Sequence, residues 1–127
     1  MDDLRKSYSK EAIDLFLQKK NYGVIKNAQG YGEFTGPCGN SMEIYLKIKN
    51  DKICDATFET DGNEAKVICG SIVTSLSIGR KIQDVMTISS QDILNKLGGL
   101  PKKNEHCSFL AENTLKQAIR NYLGMIY

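Results

Sequence analysis

The sequence predicts an α+β fold, a small antiparallel three-stranded sheet with helices packed on one face. Three observations point there. A period of two runs from Met42 to Ile48 and resumes after Asn50-Asp51; a glycine-rich stretch before it leaves room for one short strand; and nearly everything after Asp61-Gly62 has a helical period. Strands cluster early and helices late.

The elements follow in order. Ser9 can cap a first helix with Ala12, Ile13, Phe16 and Leu17 on one face, ending near Asn21-Tyr22-Gly23. Gly30, Gly32 and Gly36 make residues 24–37 turn-rich, with a short strand expected around Tyr31 to Thr35. Met42, Ile44, Leu46 and Ile48 then point one way, and Glu43, Tyr45, Lys47 and Lys49 the other, as in a half-buried strand. Asn50-Asp51 turns the chain into an antiparallel partner, with Cys54, Ala56 and Phe58 expected inward. After Asp61-Gly62, the residues Ala65, Ile68, Cys69, Ile72 and Leu76 form a helical stripe closed by Gly79. A short segment around Ile82, Val85 and Met86 follows, then a helix with Ser89 and Asp92 as capping box and Gly98-Gly99 as stop. The last helix should run from about Cys107 to Tyr122 on Leu110, Ala111, Leu115, Ala118, Ile119 and Tyr122. The tail through Leu123, Met125, Ile126 and Tyr127 is apolar enough to cover the core or to mediate self-association.

Bulk properties narrow the function. With 127 residues the chain fits a single domain spanning 1–127, large enough for a core without disulfide staples. A net charge of +2 gives no reason to expect nucleic acid or a membrane surface as partner. No apolar run approaches spanning length, and Met1-Asp2-Asp3-Leu4-Arg5 opens with acids, so a cytoplasmic protein is expected. There, four cysteines read as free, metal-binding or catalytic rather than disulfide-paired.

The four differ by context. Cys38, between Pro37 and Gly39, suits an exposed or metal-bound thiol. Cys54 and Cys69 fall on apolar faces and read as small buried hydrophobes. Cys107 belongs both to an apolar stripe and to a helix mouth, directly after His106, the only histidine; there, helix N–H dipoles would favour its thiolate. Cys38, His106 and Cys107 together would suit zinc or an iron–sulfur cluster rather than magnesium or calcium. One histidine and no carboxylate pair at recognisable spacing argue against a self-contained hydrolase, and with no other independent catalytic constellation the chain is not expected to be an enzyme.

These residues resemble the NifU/IscU-type scaffold proteins that assemble iron–sulfur clusters, over nearly the whole chain. The likeness is carried by Tyr8-Ser9, Ile13-Asp14, Asn21-Tyr22-Gly23, Gly36-Pro37-Cys38-Gly39-Asn40, Ile53 to Phe58, Thr60-Asp61-Gly62, Gly70-Ser71, Thr74, Gly79, Leu97 to Pro101, His106-Cys107, Leu110-Ala111 and Ala118-Ile119. The resemblance implies sulfur from a cysteine desulfurase, a transient [2Fe–2S] cluster or iron, and delivery to apo iron–sulfur proteins. It places metal ligands at Cys38, His106 and Cys107, and sulfur acceptance at Cys107 or Cys38. It also marks departures: Asn63 stands where the family has its second cysteine, and Asn40 where it has an aspartate, leaving both as weak or vestigial ligand positions. Leu100-Pro101-Lys102-Lys103-Asn104 differs from the segment that a dedicated chaperone reads, so that partner is not expected. Two other functions fit the same departures: an adaptor or regulator that keeps the fold without the chemistry, and a zinc-binding form of the fold.

Overall fold

The computed structural model describes residues 8–98 and 102–126. The opening Met1 to Arg5, the Gly99-Leu100-Pro101 step and Tyr127 lie outside the described residues, as do the side chains of Lys103, Met125 and Ile126. The elements are α1 (Lys10–Gln18), β1 (Gly30–Thr35), β2 (Ser41–Lys49), β3 (Lys52–Thr60), α2 (Glu64–Ser77), α3 (Ile82–Val85), α4 (Ser90–Leu97), a 3-10 turn (Lys102–Asn104) and α5 (His106–Ile126). The strands form an antiparallel sheet in the order β1-β2-β3. Helices α2 and α5 cover one face, α2 over β3 and α5 over β1 and β2. Among the described residues no helix is long and apolar enough to cross a membrane.

Local chemistry sets the element ends. The Ser9 hydroxyl accepts from the Ala12 N–H at 3.1 Å, and Ser89 with Asp92 forms a reciprocal capping box at α4. Asn50 and Asp51 take φ of +54° and +61°, the left-handed pair that a tight β2–β3 hairpin needs. Gly79, at φ +89°, follows α2 and donates its N–H to the Ile53 carbonyl at 2.7 Å, fastening the helix end to β3. Leu17, expected on the inner face of α1, is 56% exposed, while Ala12 and Ile13 carry the burial.

The core lies between the sheet and α2 and α5. Met42, Ile44 and Leu46 of β2 are fully buried, as are Leu115, Ala118 and Ile119 of α5. On β3 one expectation fails. Cys54 is exposed, and Ile53 takes the inward place beside Ala56 and Phe58. The cause is a β-bulge: Lys47 pairs with Asp55 but Ile48 pairs with Ile53, so Cys54 is an extra residue. The groups freed there find side-chain partners. The Ile48 N–H donates to Gln29 Oε1 at 3.0 Å, and the Cys54 thiol donates to the Lys47 carbonyl at 3.3 Å.

The opposite face of the sheet carries two rows set by the strand register. Glu33, Glu43 and Glu59 lie side by side, and so do Tyr31, Tyr45 and Thr57. The Tyr31 hydroxyl donates to Glu43 at 2.9 Å, and that of Tyr45 lies 3.1 Å from Glu43 and 3.2 Å from Glu59. Partial desolvation and the Glu43 carboxylate push the Tyr31 phenol up to about 12. Like charges directly opposite one another destabilise a sheet, so Glu33→Lys should raise stability by up to about 1 kcal/mol. Urea denaturation at low and high salt checks this, with the gain shrinking as salt rises.

Candidate functional site

One end of the molecule gathers the loop before β2, the loop before α2 and the first turn of α5. In the first loop, the Gly36 N–H donates to the Asn40 carbonyl and the Gly39 N–H to the Gly36 carbonyl, both at 2.9 Å. Gly39 sits at φ +88°, a conformation that side chains rarely adopt. The resulting turn leaves Cys38 exposed, with Sγ 3.7 Å from Asn40 Oδ1. A Cβ on Gly36 would touch both Cys38 Sγ at 3.8 Å and Leu110 of α5 at 3.7 Å, so the loop is seated against the closing helix.

Asp61 ties the first loop to the second. Its Oδ1 accepts from the Ser41 N–H at 2.8 Å and from Asn40 Nδ2 at 3.3 Å. Those donors, the Ser41 N–H first, hold the Asp61 carboxyl below its ordinary value. Asn63 is exposed at the N-cap of α2, and its side chain makes no capping bond. Asn21 fixes the neighbouring strand-edge segment by donating to Thr74 and Ser75, each at 3.0 Å.

At the mouth of α5 the histidine and cysteine part ways. His106 is exposed, whereas Cys107 is completely buried; His106 Nε2 lies 3.8 Å from Cys107 Sγ. The expected pull toward thiolate is outweighed. Burial pushes the Cys107 thiol up, against the lowering effect of the Lys66 ammonium, and the thiol of Cys38 is near enough to raise it further. Cys69, one turn into α2, is also fully buried, and desolvation holds its thiol strongly protonated. Tyr8 closes this end by accepting from Asn104 Nδ2 at 2.9 Å.

The structure therefore brings the Cys38 loop to the start of α5, with the two thiols in electrostatic reach of each other. It does not make a closed soft-metal site. Among the described residues no three His, Cys, Asp or Glu side chains converge as metal ligands, and a four-coordinate zinc would need more donors than Cys38, His106 and Cys107 supply. One participant escaped the sequence reading altogether. Lys66 is only 3% exposed, and its positive charge favours the ionised forms of Cys107, Cys69 and Asp61. The usable signal was its place three residues before Cys69, which puts both on one side of α2.

Residues 7–126 match the family model described as the NifU-like N terminal domain. The chain is 38% identical over 116 residues to the iron-sulfur cluster assembly scaffold protein IscU 1 of Archaeoglobus fulgidus, covering 91% of this chain and 76% of that protein. It is 32% identical over 127 residues to the nitrogen fixation protein NifU of Nostoc sp., covering 93% of this chain and 42% of that longer protein. Among solved structures, the N-terminal part of a nitrogen-fixing NifU-like protein from Brucella abortus superposes with a TM-score of 0.70, over 91% of this chain and 94% of that one. At 14% identity that last likeness speaks to the fold alone.

Proposed function

Because the chain belongs to the NifU-like N-terminal domain family, we propose that it serves iron–sulfur cluster assembly as a scaffold-type protein whose sulfur-accepting thiol is Cys38. The observation that carries this choice is the contrast in exposure. Cys38 stands free on a loop seated at the functional end, while Cys107 is wholly buried. The nucleophile in thiol–disulfide chemistry must reach its target as thiolate.

In the proposed step, the Cys38 thiolate attacks the outer sulfur of a persulfide carried on a cysteine desulfurase. A new S–S bond forms to Cys38, the old one breaks, and the desulfurase thiolate leaves. No net oxidation or reduction occurs. The carried sulfur is at the sulfane level, so building it into a [2Fe–2S] cluster for apo iron–sulfur proteins takes two electrons from a separate reductant, and iron or cluster is cargo rather than a resident group. The chain is a carrier in this reading, not an enzyme. His106 is exposed next to Cys107 and, with the exposed Asp61 and Asn63 at the same end, is open to an incoming partner.

Mass spectrometry after incubation with a cysteine desulfurase and free cysteine tests the reading. The wild-type chain should gain one sulfur atom on Cys38; Cys38→Ser should lose that gain, and Cys107→Ser should keep at least half of it. Equal labelling of wild type and Cys38→Ser would overturn the assignment. The adaptor reading draws on the amides Asn40 and Asn63 at this end. Tight desulfurase binding with no sulfur gained on any cysteine would favour it. Among the described residues the zinc reading has no converging donor set to support it.

A further inference from the structure

The turn that presents Cys38 is closed internally by two backbone bonds, from the Gly36 N–H to the Asn40 carbonyl and from the Gly39 N–H to the Gly36 carbonyl. Its downstream edge is held by the end of β3. Thr60 Oγ1 donates to the Ser41 carbonyl at 2.7 Å, and the Gly62 N–H donates to that same hydroxyl at 3.1 Å. Asp61 then grips the turn twice with one oxygen: Oδ1 accepts from the Ser41 N–H at 2.8 Å and from Asn40 Nδ2 at 3.3 Å. An ionised carboxylate can only accept, so it takes the amino end of the Asn40 amide. The carbonyl end is left facing Cys38, with Oδ1 3.7 Å from Sγ and within reach of a thiol donor. The two residues are complementary. An aspartate at 40 would set one carboxylate against another, whereas asparagine supplies the donor that Asp61 needs.

From this chain of hydrogen bonds we propose that Asp61 is a positioning residue for sulfur transfer: through Asn40 and the Ser41 N–H it holds the Cys38 turn in the orientation from which Sγ attacks a persulfide. The inference rests on the reading of Cys38 as the sulfur acceptor. Asp61 touches none of the reacting sulfurs and acts on placement alone. Displacement at sulfur requires the attacking, central and leaving sulfurs nearly in line, and a shift of about 1 Å in a reacting group can cost about a hundredfold in rate. Cys38 is exposed, so packing does little to fix it and the hydrogen bonds must. Asn40 thereby has a use other than weak ligation: its amide links the carboxylate of Asp61 to the acceptor thiol.

Time courses of sulfur gain on Cys38, followed by mass spectrometry with a cysteine desulfurase and free cysteine, test this on the full chain. Asp61→Ala should slow the gain at least about tenfold. Iodoacetamide, a small reagent with no docking geometry, should alkylate Cys38 of Asp61→Ala no more slowly than wild type, which a collapsed or buried turn would not allow. Asn40→Asp alone should also be slow, because two carboxylates then face each other. The exchanged pair, Asn40→Asp with Asp61→Asn, again matches donor to acceptor and should recover to within about threefold of wild type. Amide hydrogen exchange at Ser41 reports the brace without any desulfurase. It should quicken at least about tenfold in Asp61→Ala and stay slow in the exchanged pair. Thermal unfolding checks that each variant is folded. If wild type gains sulfur on Cys38 and Asp61→Ala keeps pace, or if Asn40→Asp alone outruns wild type, this inference is overturned and the acceptor assignment stands. If wild type gains none, the acceptor assignment itself has failed; Ser41 exchange then decides the brace, and an unchanged rate in Asp61→Ala would overturn that too.

Discussion

Replacing Gly32 should cost more stability than any other single change considered for this chain. Gly32 lies on the inner face of β1, opposite α5. A Cβ there would run into the Ala118 N–H and lie 2.8 Å from both Ala118 Cα and the Thr114 carbonyl oxygen. These are backbone atoms in the middle of a long helix, so no rotamer change relieves the clash. Helix α5 would have to lift from the sheet, loosening Leu115, Ala118 and Ile119, all fully buried. Overpacking a rigid core typically costs about 1–3 kcal/mol, occasionally more, out of a total of about 5–15 kcal/mol for a domain. Gly32→Ala is expected near about 3 kcal/mol, and Gly32→Val beyond it. Gly124, with nothing within 4 Å of a built Cβ, supplies the control: Gly124→Ala should add about 0.5–1 kcal/mol through helix propensity alone. Urea unfolding measures both. A Gly32→Ala variant within about 0.5 kcal/mol of the parent would contradict the close packing of β1 on α5.

The second large effect is kinetic. Cys38 and Cys54 are exposed, Cys69 and Cys107 buried. An aromatic disulfide reagent in excess should therefore modify two thiols quickly and two slowly, with rates about a thousandfold apart or more. Two causes act together. A buried thiol reacts only through an opening of the structure, and such openings range up to the free energy of global unfolding. Burial also keeps Cys69 and Cys107 protonated, removing the reactive form. In denaturant all four should react in one phase. A native burst of three equivalents, with Cys107 labelled by mass spectrometry, would show that thiol to be accessible and would reopen it as the sulfur acceptor.

Much of the architecture could be read in advance because its signals are local. The alternation from Met42 to Ile48, the Asn50-Asp51 turn, the Ser9 cap and the Ser89–Asp92 box each involve residues within a few positions of one another. Cys54 could not be read this way. A bulge inserts one residue without disturbing composition, and alternation counted back from Phe58 places Ala56 correctly but assigns the side chains from Cys54 back to the wrong face. The candidate end was legible in outline: the front loop does meet the start of α5. The state of Cys107 was not, since helix dipoles are a property of one segment while burial is a property of three. Lys66 was hidden for a similar reason. A lysine in a helix normally reads as solvent-facing, and only the space over Gly62 shows where its stem goes.

The side-by-side glutamates on the uncovered side of the sheet bear on how the molecules meet in solution. Two copies brought sheet to sheet would each present the same negative stripe, and no rotation about the contact removes the mismatch while the stripes overlap. The glutamate stripe opposes such stacking, and concentrated salt, which screens it, is where self-association through this face should first appear.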